Sequence, residues 1–241
     1  MSNCYNEPAC RCHRFRQKVA IVTGAASGIG QACAVRLAQE SAQVTICDVN
    51  PAGLEETRQK IEALGGECLV MIVDVRSEEQ VLACVNSTLE RFGTIDILIN
   101  NAGTGQFVPF AMMSNEEYDR VMDINVRGMF CFSRAVLPTM MDKDYGKIVN
   151  ITSIMSVIDG QGQSIYNTSK GAAKMMTQGI AVDVSGYHIN VNAVGPGMVL
   201  TGLTQNMLGD PDQAEQFIEK IPMRRIGEPD DIASADRKSV V

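Results

Sequence analysis

The sequence contains no tryptophan, and its phenylalanines and tyrosines are few, so that aromatics make up only 5% of residues. Any sizeable core must therefore come from aliphatic side chains. Histidine occurs only at His13 and His188, which leaves little material for a Ser-His-Asp triad or a histidine metal centre. No apolar run reaches the length of a membrane span, and no basic-then-apolar opening suggests a secretory leader. Excess positive charge is also missing. The formal net charge of −7 argues against nonspecific binding to nucleic acid or to an anionic membrane face. A cytoplasmic location is the expectation that remains.

What is present is ordinary globular composition, with 45% hydrophobic and 20% charged residues in 241. No repeat, low-complexity tract or Pro/Gly-rich linker divides the chain. One domain over residues 18–241 is predicted, behind an N-terminal tail of residues 1–17. Of eight cysteines, Cys33, Cys47, Cys68, Cys84 and Cys131 sit in apolar stretches and are predicted to be small buried hydrophobes. Cys4, Cys10, Cys12 and the adjoining His13 match none of the usual zinc spacings, so no metal site is predicted.

Short β-branched runs occur at residues 19–22, 44–46, 69–73, 95–99, 148–151 and 189–194. Their hydrophobicity is nearly continuous, as suits strands buried on both faces of a parallel sheet. Between them the apolar positions return every three or four residues, as in Ile29, Ala32, Cys33 and Leu37. Strand alternating with helix predicts a doubly wound α/β domain whose ligand edge lies at the strand C-termini.

After the first strand comes Thr23-Gly24-Ala25-Ala26-Ser27-Gly28-Ile29-Gly30, leading into a helix. Glycines there let the backbone approach a pyrophosphate, whose charge the helix N-terminus favours. The same residues would also serve as a plain strand-to-helix turn. Asp48 ends the second strand and can accept hydrogen bonds from ribose hydroxyls while repelling a 2′-phosphate. It would equally serve as a solvated or capping aspartate, and Asn50-Pro51 could open the next helix. No cation immediately follows Asp48, so NAD is expected over NADP. Further on, Tyr166 and Lys170 stand four apart on a predicted helix and share a face. An ammonium beside a phenol stabilises the phenolate and makes the tyrosine an acid/base candidate.

With these motifs in order, the chain resembles the short-chain dehydrogenase/reductase family, from residue 18 to about residue 233. The resemblance implies a Rossmann-type fold, a nicotinamide dinucleotide and hydride exchange between a secondary alcohol and a ketone. Gly24, Ser27, Gly28, Ile29 and Gly30 then belong to the cofactor turn, Asp74-Val75 lies by the adenine, and Asn101-Ala102-Gly103, preceded by Asn100, lines the cofactor pocket. Pro196, Gly197 and Thr201 match the turn near the carboxamide. Asn125, Ser153, Tyr166 and Lys170 match the catalytic tetrad. In that tetrad Tyr166 moves the proton, Ser153 holds the reacting oxygen, Lys170 lowers the tyrosine pKa and contacts the ribose, and Asn125 holds a water. The family pattern also implies a homotetramer or dimer.

The chain departs from that pattern after residue 235, where a seventh strand is expected and does not follow. An open strand edge and weakened assembly are the consequence expected. Specificity should lie in loops 104–107, 154–163, 198–199 and 203–222. There Phe107, Ile154, Met155 and Met198 mix with Gln106, Gln161 and Gln163, a lining compatible with a polyol or sugar derivative. The rival readings are an NADPH-dependent 3-oxoacyl-carrier-protein reductase, a dinucleotide-binding module without turnover, and a truncated remnant.

Overall fold

Each of the six β-branched runs becomes a strand, with no boundary moved by more than two residues. The computed structural model describes residues 13–105 and 107–239. The strands are β1 (Val19–Thr23), β2 (Gln43–Asp48), β3 (Cys68–Ile72), β4 (Ile97–Asn100), β5 (Gly146–Ile151) and β6 (Ile189–Val194). They form one sheet in the order β3-β2-β1-β4-β5-β6, and every pairing is parallel. The helices are α1 (Gly28–Gln39), α2 (Pro51–Ala63), α3 (Glu78–Phe92), α4 (Asn115–Met122), α5 (Gly128–Asp142), α6 (Ser164–Asp183), α7 (Gln205–Leu208), α8 (Pro211–Lys220) and α9 (Pro229–Ser239). None among the described residues is long and apolar enough to cross a membrane.

Alternation along the inner strands divides the core in two. Ala20, Val22, Ile97, Ile99 and Val149 pack with Leu37 of α1, Leu54 and Ile61 of α2, and Ala233 of α9. Ile21, Leu98 and Ile148 face the other way, against Val81 of α3 and Phe132, Val136 and Met140 of α5. Helices thus cover both faces, and the doubly wound expectation holds. With so few aromatics, Phe132 is one of the largest fully buried side chains, surrounded by isoleucine, leucine and methionine.

Burial on both faces is confined to the inner strands. β3 is only half-buried, and in β6 Asn190, Asn192 and Ala193 are exposed. The reason is position: both are edge strands. Among the described residues no strand lies beyond β6. Ahead of β1, Phe15 packs into the first of the two core layers. Phe15 is 3% exposed, its N–H donates to the Glu40 carbonyl at 3.0 Å, and Arg14 pairs with the Glu40 carboxylate at 2.6 Å. Cys4, Cys10 and Cys12 lie outside the described residues. Cys33, Cys47, Cys84 and Cys131 are buried and not in disulfides, and Cys68, on the β3 edge, is half-buried.

Truncating the most buried aromatic tests this packing. Phe132→Ala should lower unfolding free energy by about 3–5 kcal/mol in urea titrations. A loss under about 1 kcal/mol would mean that the α5 layer is not closely packed.

Candidate active site

The strand order reverses between β1 and β4, and there a cleft of about 510 Å³ opens at the C-terminal edge of the sheet. The turn after β1 forms its floor. Asn101 Nδ2 donates to the carbonyls of Thr23 (3.1 Å) and Gly24 (3.0 Å), while the N–H groups of Asn101 and Ala102 both donate to Thr23 Oγ1 at 3.0 Å. Gly24 has φ +64°, and a Cβ there would stand 2.8 Å from Ala102 Cα. A side chain at Gly30 would overlap the Gly24 carbonyl and the Asn101 amide. Both glycines are therefore demanded by close approach, in keeping with the turn's expected role.

Ser27 caps α1 without a side-chain hydrogen bond, and Ser27, Gly28 and Ile29 line the cleft. The first N–H groups of the helix thus remain available at its positive end, which suits a pyrophosphate. At one end of the cleft lie Asp48, Asp74 and Val75; at the other lie Ser153, Tyr166 and Lys170. Asn101, Ala102, Gly103, Pro196, Gly197 and Thr201 line the length between them. Asp48 takes hydrogen bonds from the N–H groups of Ala26 (3.2 Å) and Asn50 (3.0 Å). Capping of α2 falls to Asn50, which accepts from Gly53 N–H, with Pro51 at the first helical position. The residues present fit a dinucleotide in charge, in shape and in available donors.

The family model for short chain dehydrogenases matches residues 18–212. The chain belongs to the short-chain dehydrogenase/reductase family. It is similar to the 2-(R)-hydroxypropyl-CoM dehydrogenase of Xanthobacter autotrophicus, with 42% identity over 90% of this chain and 89% of that protein. Against a 3-oxoacyl-[acyl-carrier-protein] reductase of Thermotoga maritima the identity is 34%, over 91% and 89%. A crystal structure of NAD+-bound xylitol dehydrogenase superposes with a TM-score of 0.90 at 36% identity, covering 95% of this chain and 94% of that one. Short-chain dehydrogenases are oxidoreductases that bind a nicotinamide dinucleotide, and the chain shares that character.

Two expected site residues of this dehydrogenase do not line the cleft. Gly30 lies behind it, as the packing against Gly24 requires. Asn125 also sits behind, in a π-helical turn (Asp123–Arg127) that joins α4 to α5. Its side chain is fully engaged. Oδ1 accepts from Thr104 N–H at 2.8 Å, and Nδ2 donates to the Thr104 carbonyl at 2.8 Å and to Ser169 Oγ at 2.9 Å. Ser169 in turn donates to the Tyr166 carbonyl at 2.7 Å. The Asn125 amide therefore braces the loop after β4 against α6.

Lys170 is 6% exposed, and its Nζ donates to the Ile151 carbonyl at 2.9 Å, 5.8 Å from the Tyr166 ring centre. Burial pushes its pKa down to about 8. For Tyr166 burial acts in the opposite sense, raising the phenol pKa, while the hydrogen bond with Ser153 pulls it down. The expected lowering by Lys170 is not the dominant influence on the tyrosine, because desolvation opposes the charged form of both groups.

Arg76 was not anticipated. It lines the cleft beside Asp74 and grips that carboxylate, with Nη2 to Oδ2 at 2.6 Å and Nε to both oxygens at 3.0 Å. Its only sequence signal was its place next to Asp74-Val75. Thr104, Leu203 and Thr204 also line the cleft and belong to loops without a motif. Gln161 and Gln163 do not line it, and Gln106 lies outside the described residues. His188, expected to be a satisfied structural residue, is exposed on the far side of the sheet, with Nδ1 2.6 Å from Asp144 Oδ2.

The depressed Lys170 pKa predicts a pH effect on stability. Between about pH 8 and the ordinary lysine value of 10.5, the unfolded chain holds a proton that the folded chain has lost. Stability from this group therefore rises with pH across that window. Cysteines with raised pKa, such as Cys47 and Cys68, act in the opposite direction, so the comparison must be with Lys170→Met. In urea melts, wild type should gain stability relative to Lys170→Met from pH 7.5 to 9.5. A constant difference would show that the lysine is not desolvated.

Proposed function

We propose that this chain is an NAD(H)-dependent dehydrogenase that interconverts a secondary alcohol and a ketone, with Tyr166 as the acid/base. The observation that carries the proposal is the meeting of the Ser153 hydroxyl with the Tyr166 phenol in a cleft whose far end presents Asp48. A bound nicotinamide would supply or accept the hydride. Tyr166 Oη donates its proton to the carbonyl oxygen in reduction and takes one from the alcohol in oxidation. Ser153 Oγ hydrogen-bonds the same oxygen and fixes its distance from the phenol. Lys170, still largely protonated at neutral pH with a pKa of about 8, places a positive charge beneath the phenol and favours its ionised form.

Asp48 supports NAD as the cofactor, since Val49 and Asn50 follow it and supply no cation for a 2′-phosphate. Arg76 is the one observation favouring the NADPH-dependent 3-oxoacyl-carrier-protein reductase reading. Its guanidinium is engaged by Asp74, which leaves the Asp48 charge uncompensated. The family resemblance further supports a cytoplasmic homo-oligomer, a tetramer or dimer, whose size light scattering would measure.

NADH should bind at least ~10-fold more tightly than NADPH in fluorescence titrations, and Asp48→Ala should narrow the gap. Equal affinity of the parent chain for both would sink the cofactor assignment. Tyr166→Phe should lower kcat by at least ~10²-fold with NADH affinity nearly unchanged, since only the proton path is lost. Retained turnover would place the acid/base elsewhere, and a parent chain that binds NADH without turning over any alcohol would favour the non-catalytic reading.

A further inference from the structure

The loops that follow β4, β5 and β6 meet beside the cleft that Ser153 and Tyr166 line. Val108 N–H donates to the Gly162 carbonyl at 3.0 Å, joining the first two. Leu203 packs on the first from the third, so closely that a Cβ at Gly105 would stand 3.0 Å from its Cδ1. These loops leave Phe107 (47%), Ile154 (44%), Ile158 (52%) and Leu203 (42%) exposed. Leu203 lines the cleft itself and the other three stand exposed on the loops that flank it, so an apolar rim of loop residues adjoins the cleft.

Charged side chains are few at the Ser153 end of the cleft among the described residues. Among the described residues lining the cleft, the charged ones are Asp48, Asp74 and Arg76 at the adenosine end, and Lys170 beneath the tyrosine. Close to the rim, Arg120 donates to Thr104 Oγ1 at 2.7 Å and to the Gly105 carbonyl at 3.4 Å. Asp159 accepts from Gly160 N–H and from the Asn167 amide. Thr204 Oγ1 donates to the Val199 carbonyl at 2.5 Å. Arg120 keeps its charge but is held by loop atoms, so among the described residues lining the cleft an acid entering here finds no cation beside the reacting groups but the buried Lys170, and a polyol would lose hydrogen bonds that Leu203 and its apolar neighbours do not replace.

From this we infer that the substrate is an uncharged ketone or secondary alcohol with a hydrocarbon body, not a polyol or an acid. The inference rests on the dehydrogenase reading above and sharpens it.

The test is oxidation by the purified full chain with NAD+, comparing cyclohexanol and 2-heptanol with xylitol and 3-hydroxybutyrate. The better of the first two should exceed both of the others by ~10²-fold in kcat/KM. Preference for xylitol or 3-hydroxybutyrate, abolished by Tyr166→Phe, would overturn the substrate inference and leave the dehydrogenase reading standing. No oxidation of any alcohol by a chain that binds NADH would overturn both. Ile158→Arg adds a cation to the rim and should raise kcat/KM on 3-hydroxybutyrate ~10-fold relative to cyclohexanol, with NADH affinity unchanged. An unchanged ratio would remove Ile158 from the substrate's surroundings and overturn the apolar-rim account.

Discussion

The cleft depends on the short span where β1 and β4 part company. There the Asn101 amide holds the carbonyls of Thr23 and Gly24, and the Thr23 hydroxyl receives two backbone N–H groups from the other strand. Polar backbone at the end of a buried strand must find partners, because an unpaired group away from water costs about 1–3 kcal/mol. Pairing them across the two strands leaves the first N–H groups of α1 pointing into open space. The absence of side chains at Gly24 and Gly30 lets the turn lie this low. Helix dipole, free donors and a shallow floor then coincide at one place.

A second constraint operates at the other end, where α6 crosses the sheet. Ser169 and Lys170 are buried beside each other, one tied to Asn125 and the other to the Ile151 carbonyl. The π-helical turn at Asn125 brings its amide level with Thr104, so one side chain links the loop after β4 to α6. Such turns often accompany functional sites. Desolvation here weakens both charged forms, raising the tyrosine pKa and lowering the lysine pKa. The ordinary values, 10.0 for the phenol and 10.5 for the ammonium, are thereby driven apart, the phenol upward and the ammonium down to about 8.

Much of this was legible before any coordinates. The six strands announced themselves because parallel strands between helix layers carry unbroken β-branched runs, and the glycine turn followed β1 at once. Asp48, Ser153, Tyr166 and Lys170 stood at strand ends or on one helix face, positions that topology carries to a common edge. Other features were hidden. Phe15 looked like part of a tail because its partner, Glu40, is remote in sequence. Arg76 entered the cleft only because Asp74 holds it there. The weaker burial of β3 and β6 depended on which strands became edges, and local hydrophobicity does not encode that order.

By itself the sequence determined the elements, the glycine turn after β1 and the candidates for the reacting side chains. Those rest on local pattern: apolar period, glycine where a side chain would clash, and a tyrosine and lysine one helical turn apart. Only the tertiary structure decided that Asn125 braces α6 through Ser169, that Arg76 lines one cleft with two aspartates, and that apolar side chains of three loops gather beside that cleft. Each of these joins residues distant in the chain. Which donor meets which acceptor, and which charge remains unanswered, is settled when packing excludes water, and no run of neighbouring residues records that outcome.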